Sequence, residues 1–224
     1  MIKVVIFDLF ETLITEWVSD KYTSAKCATD LGVDNILFRE VWESLHTQMY
    51  TGTCTYENAL MKICEAAGKS LTPDKLALCS NKRHKAKAQC FSYRHDDIVK
   101  MLESLRLNGI KLAMCSNCFS EEADTLRESV LCGYFDAVIL SYETGYAKPD
   151  ERIYRLCTDR LGVNPSECIY VGDGGSRELY GADAVGMKPV RAMWFLNRYE
   201  SNVIPMPFEQ VSNPCEVIKL CMYK

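Results

Sequence analysis

Long apolar runs are missing from this chain. Nowhere does it approach the roughly 18 uninterrupted apolar residues that a membrane-spanning helix requires, so no membrane partner is expected. Histidine is scarce, at three in 224 residues, and neither His84 nor His95 has a second histidine or cysteine at metal-ligand spacing, which excludes both from a zinc site. An excess of one charge is also missing. The 26 basic and 30 acidic residues are mixed along the chain to a net charge of −4, and without a long basic stripe nucleic acid is not an expected partner. No low-complexity tract or internal repeat is present. The opening Met1-Ile2-Lys3 leads into Val4-Val5-Ile6-Phe7, an apolar run too short for a signal-peptide core and lacking a small-residue cleavage site. A cytoplasmic protein whose first run is a strand is therefore expected.

What the chain does contain is ordinary globular material, 48% hydrophobic and 25% charged, enough for a sizeable core. The twelve cysteines are scattered, and in a reducing compartment they are expected to remain thiols. Cys115-Ser116-Asn117-Cys118 has redox spacing, but no second Cys/His pair completes a zinc site. Cys and Met on helical stretches, such as Met61, Cys64, Cys157 and Cys221, read as core packing. The run Lys82-Arg83-His84-Lys85-Ala86-Lys87 reads as a solvated helix face, with attraction of an anionic substrate as the alternative.

Five short apolar runs are each bounded by turn or polar residues: Val4 to Phe7, Leu112 to Cys115, Ala137 to Leu140, Cys168 to Val171 and Pro189 to Ala192. Alternating with helical stretches, they predict an α/β fold with a parallel sheet buried on both faces. Ligands of such sheets bind outside the C-terminal strand ends. Almost a hundred residues separate the first two runs, too many for a single crossover. Within them Asp20 to Leu31, Leu37 to Met49, Tyr56 to Ala67 and Pro73 to Cys90 carry apolar residues at helical spacing, which predicts an inserted helical domain at 16–91. Residues 1–15 and 92–224 then form the main domain, with Asp96 to Leu107 as its own helix.

The strand ends carry the chemistry. Asp8 follows the first run, and a carboxylate there is costly unless it is used or hydrogen-bonded. Ser116-Asn117 ends the second run, Lys148-Pro149 follows the third, and Gly172-Asp173-Gly174-Gly175 ends the fourth. Singly, each has a plain explanation as a helix cap, a surface amine or a tight turn. Together and in this order they resemble the haloacid dehalogenase superfamily, in its subclass with a small helical cap, across nearly the whole chain.

That resemblance implies a Rossmann-like parallel sheet of five strands or more and a hydrolase site. Asp8 matches the nucleophile, Thr12 the hydroxyl supporting its loop, and Ser116, with Asn117 beside it, the hydroxyl that binds the transferring group. Lys148 matches the base paired with the nucleophile and Asp173 a metal ligand. Tyr142-Glu143-Thr144-Gly145, Asp150 and Tyr154 look like the usual surroundings, and Trp194 to Arg198 resembles a segment of several branches. Mg²⁺ is the implied cofactor, held by Asp8, Asp173, the Phe10 backbone carbonyl and Glu178. A carboxylate attacks a phosphoryl group poorly without cations to offset the repulsion, so a lysine and a hard dication suit that role. The expected activity is a phosphatase on a small phosphomonoester, working through an aspartyl-phosphate, as a monomer or homodimer.

Phe10 departs from the pattern, because phosphatase members usually carry a proton-donating Asp there. An aromatic at this position, with Ser116-Asn117 and Tyr154, is similar to the metal-independent 2-haloacid dehalogenases, whose halide leaves without a proton. Arg39 is then the candidate by position to bind a substrate carboxylate, although a solvated helix surface is its favoured reading. Asp173 points the other way, since beside Asp8 it calls for a cation. A non-catalytic protein that uses the pocket to bind a ligand or partner is the third reading.

Overall fold

The computed structural model describes residues 1–18, 20–92, 95–196 and 204–222. Its centre is a parallel six-stranded sheet of order β3-β2-β1-β4-β5-β6, with β1 Val4–Phe7, β2 Lys111–Ser116, β3 Ala137–Leu140, β4 Cys168–Gly172, β5 Lys188–Ala192 and β6 Glu209–Val211. The fold class and the five expected strands agree with the sequence reading. β6 is the addition, a three-residue edge strand paired to β5 whose Glu209 and Gln210 are exposed, so no apolar run announces it.

All four residues of β1 are fully buried, and their alternation serves both sheet faces. Val5 and Phe7 join the apolar cluster beneath α5 (Asp96–Leu107), while Val4 and Ile6 join the one beneath α8 (Glu151–Leu161). Helices α9 (Glu178–Ala184) and α10 (Glu216–Met222) complete the two layers. β1, β2 and β3 step one way across the sheet and β4 to β6 step the other, so the chain reverses direction between β1 and β4, the place where such sheets open a crevice.

The segment between β1 and β2 is helical: α1 Ser24–Leu31, α2 Asn35–Tyr50, α3 Tyr56–Ala66 and α4 Pro73–Ser92. Side chains of Thr23, Asp34 and Thr55 cap the first three of these by accepting from backbone amides, the job short polar residues do best at helix starts. These helices bury a separate apolar cluster that includes Phe38, Met49, Leu60 and Ile63, and Phe119, just before α6 (Ser120–Glu128), is its contribution from the sheet side. The short helix α7 (Ser141–Thr144) meets the end of α2. Gly52, just past α2, has φ +75, and a Cβ there would stand 2.3 Å from the Tyr142 carbonyl oxygen, so glycine is what permits this close approach.

Two expectations are corrected. Met61 is 45% exposed and contributes little packing, although Cys64 and Cys157 are buried as expected; all twelve cysteines are free thiols. The basic run in α4 is not wholly a solvated face. Lys82 and Lys85 are exposed, but Lys87 is buried, for reasons given below. Of the Trp194 to Arg198 segment, Asn197 and Arg198 lie outside the described residues.

Candidate active site

Asp8 is the first residue beyond β1, and its amide donates to Val171 O in neighbouring β4 at 2.9 Å. That bond fixes the carboxylate at the β1/β4 crevice. The chain turns away at once: Glu11 adopts φ 54, a left-handed conformation that is uncommon for a residue with a Cβ. Its carboxylate accepts from Thr15 Oγ1 at 2.7 Å and Glu16 N at 2.9 Å, anchoring the turn. Thr12 Oγ1 donates to Asp8 Oδ2 at 3.4 Å, and the Thr12 carbonyl accepts from Trp194 Nε1 at 2.8 Å.

Lys148 arrives from the β3 side, preceding a cis peptide bond to Pro149. Its side chain is only 2% exposed, and its ammonium donates to Asp8 Oδ1 at 2.5 Å, Glu178 Oε2 at 2.5 Å and the Tyr170 hydroxyl oxygen at 3.1 Å. Burial opposes the charged lysine, but the Asp8 and Glu178 carboxylates outweigh it and hold its pKa well above the ordinary value. Asn117 serves this lysine: its amide nitrogen donates to Lys148 O at 3.1 Å while its Oδ1 accepts from Lys148 N at 2.7 Å. Both ends of the Asn117 side chain are thus occupied in seating the Lys148 backbone.

Asp173 comes from the loop after β4 and Glu178 from the first position of α9. Burial and the charge of Asp8 push both carboxyl groups above their usual range. Asp173 Oδ1 accepts from Gly175 N at 2.8 Å. Glu178 is almost wholly buried and accepts from Tyr170 OH at 2.9 Å and Gly174 N at 3.2 Å. Its carboxylate crosses directly over Gly172, where a Cβ would sit 2.1 Å from Glu178 Oε1. Tyr154 OH donates to the Glu178 carbonyl at 2.9 Å. Asp8, Asp173 and Glu178 offer oxygen atoms that lie within 4.8 Å of one another. Three carboxyl groups stand here with one ammonium, which pairs with two of them, and hard oxygen donors at this spacing fit a divalent cation such as Mg²⁺. Glu178 also shares Lys148 directly with Asp8.

Ser116 is fully buried at the end of β2, its hydroxyl donating to Asn117 O at 3.2 Å. The Phe10 ring lies edge-on to Phe91 with centroids 6.4 Å apart, and Lys87 Nζ sits 4.7 Å from its centroid. Lys87 is a residue that sequence reasoning misplaced. Its ammonium donates to Glu16 and pairs with Glu122 at 2.5 Å, while Arg83 pairs with Glu121 at 2.9 Å and Glu122 at 3.0 Å. These bonds tie α4 to the start of α6. The consecutive acids Glu121-Glu122 at a helix N-terminus were the available signal for buried partners. Arg39, by contrast, is exposed on α2. A cavity of about 390 Å³ has Phe10 and Asn117 on its sheet side and helices α1, α2 and α4 around it; Arg39 lies outside it. Tyr170, a strand residue, is the site member with no sequence signal beyond its apolar run.

The model of the haloacid dehalogenase-like hydrolase family matches residues 2–186. A glyceraldehyde 3-phosphate phosphatase of Methanopyrus kandleri is 29% identical over 211 residues, covering 85% of this chain and 84% of its own length. Among solved structures, a HAD phosphatase from Thermococcus onnurineus superposes with a TM-score of 0.66 at 24% identity, covering 98% of this chain and 97% of that one. The L-2-haloacid dehalogenase of Xanthobacter autotrophicus does so at 0.63 and 21% identity, with 99% of each chain covered, so likeness of fold spans both chemistries. With the family's match extending over most of its length, this chain belongs to the haloacid dehalogenase-like hydrolases.

Proposed function

We propose that the protein is a Mg²⁺-dependent phosphatase acting on a small phosphomonoester, with residues 16–91 as a cap over the site. The observation that carries this reading is the gathering of Asp8, Asp173 and Glu178 around one crevice with a single buried ammonium to balance them. The similarity to a phosphatase over more than four-fifths of both chains supports it.

In this reading Asp8 attacks phosphorus. Lys148 holds the carboxylate in place and offsets part of the repulsion between two anions. Thr12 steadies the second Asp8 oxygen. Asn117 is a positioning residue that sets Lys148, and Ser116 lies at the β2 end where the transferring oxygens would arrive. The leaving oxygen departs, Asp8 carries the phosphoryl group as an acyl phosphate, and water then cleaves it to restore the carboxylate. Asp8, Asp173, Glu178 and the Phe10 carbonyl would hold the cation, which when bound supplies charge stabilisation for the phosphoryl oxygens.

Two observations weigh against carbon–halogen hydrolysis. Arg39, the candidate to bind a halo acid's carboxylate, lies outside the cavity, and the acids around Asp8 call for a cation that chemistry does not use. The test is phosphate release from a panel of small phosphomonoesters with Mg²⁺. Turnover that is abolished by EDTA and by Asp8→Asn is expected, and no release from any ester would overturn the proposal. Halide release from 2-chloropropionate in EDTA would replace it with the dehalogenase reading.

A further inference from the structure

The cavity that borders the site at Phe10 and Asn117, without being lined by Asp8, Lys148 or Asp173, has a strongly aromatic wall. Trp42 stacks on Phe38 with centroids 5.7 Å apart and meets Tyr56 and Phe119 edge-on at 5.9 and 5.6 Å. Tyr50 stacks on Phe119 at 4.7 Å. All five rings line the cavity.

The cations of the same wall and two of its hydroxyls are already engaged. Arg83 and Lys87 are held by Glu121, Glu122 and Glu16, and Lys21 lies 3.8 Å from Glu16 and 3.5 Å from the Trp17 ring centroid. Tyr22 OH donates to Asp30 at 2.7 Å, and the Tyr56 hydroxyl lies 3.6 Å from Cys27 Sγ. Among the described residues, then, each cation of the wall faces a carboxylate. A second phosphate or a carboxylate on the substrate would enter without a counter-charge waiting.

The leaving side carries the same message. Phe10 sits two residues beyond Asp8 and presents a ring that cannot donate a proton. Lys87, the nearest ammonium described beside it, is held by two carboxylates. A phenolic oxygen can leave as its anion near neutral pH, its conjugate acid having a pKa of about 10 as in tyrosine, whereas an alkoxide needs a proton as it departs.

Resting on the phosphatase reading, we propose that the substrates are monophosphate esters of flat, apolar alcohols, aryl phosphates above all, whose ring is received by the Trp42, Tyr50 and Phe119 wall. The Asp8 carboxylate forms a bond to phosphorus as the phosphorus–aryloxide bond breaks, the aryloxide takes a proton from water, and a second water hydrolyses the acyl phosphate to phosphate and free Asp8.

The test compares substrates on the Mg²⁺-loaded full chain. Benzyl phosphate and glycerol 3-phosphate share an alkoxide leaving atom, so their comparison reads recognition of the ring rather than leaving-group reactivity. A KM for benzyl phosphate about tenfold lower is expected, the factor that 1.4 kcal/mol makes in binding, with 2-naphthyl phosphate giving the highest kcat/KM. Trp42→Ala should lower the benzyl-to-glycerol kcat/KM ratio about tenfold, mainly through KM. Because the ratio is taken within one preparation, loss of folded protein cancels from it. Equal KM values, or a ratio unmoved by Trp42→Ala, would overturn this inference while leaving the phosphatase reading intact. Absence of turnover on all three esters, with release from other members of the phosphomonoester panel, would overturn this inference alone, and absence across the whole panel would remove both.

Discussion

Replacing Lys148 by methionine keeps the length of the side chain and removes the one charge around which the site is built. In the native protein its ammonium lies 2.5 Å from a carboxylate oxygen of Asp8 and of Glu178, with only 2% of the side chain exposed. The substitution leaves two buried acids facing each other. Glu178 keeps Tyr170 OH and Gly174 N, and Asp8 keeps Thr12, so the loss falls at the lower end of the range for breaking a buried pair, roughly 3 kcal/mol. For a chain of this size that is a fall in Tm of about 6–12 °C. The assay is thermal unfolding in EDTA, followed by circular dichroism, with phosphate release measured in parallel. A folded Lys148→Met protein within about 2 °C of the wild type would refute the reasoning, because it would mean that the carboxylates do not depend on this lysine for their burial.

Four further outcomes are expected. Adding Mg²⁺ to the metal-free protein at a hundredfold above its dissociation constant should stabilise it by about 2.7 kcal/mol, and Asp173→Asn should abolish that response; a Tm unmoved by Mg²⁺ speaks against the acidic triad as a cation site. Gly172→Ala places a methyl group on the Glu178 carboxylate and should cost about 1–3 kcal/mol in urea unfolding; a neutral effect would show that Glu178 has freedom to move aside. Glu122→Ala strips Lys87 and Arg83 of a shared partner and should cost about 3 kcal/mol, read by the same unfolding curves; a loss below about 0.5 kcal/mol would show the network to be idle. Phe10→Asp should raise kcat on glycerol 3-phosphate, by less than the 10²–10⁴ of a free general acid because Lys87 will hold the new carboxylate charged; an unchanged or lower rate in a folded variant would contradict this.

The strand ends were legible because each is a local signal. An apolar run that stops at Asp8, at Ser116 or at Asp173 states its own register, and a parallel sheet brings those ends to one edge. Lys148 stands beyond α7 rather than at the end of a run, and its place came from the family resemblance. What stayed hidden depends on partners distant in sequence. Tyr170 is written as one more apolar strand residue, and only the fold turns its hydroxyl between Lys148 and Glu178. Lys87 sits among basic residues that do face water, and its burial is decided by Glu122 on another helix. Met61 has the right chemistry for a core residue, but its helix turns it outward. β6 is short, polar and at the sheet edge, where pairing rather than burial defines it.

The central claim is that Asp8 itself carries the phosphoryl group during turnover. The direct measurement is mass spectrometry of peptides after rapid acid quench of the Mg²⁺-loaded protein turning over an aryl phosphate. A hydroxylamine-labile phosphoryl adduct is expected on the peptide bearing Asp8, absent in EDTA and in Asp8→Asn. Phosphate release that persists in Asp8→Asn, or an adduct found on another residue, would contradict it.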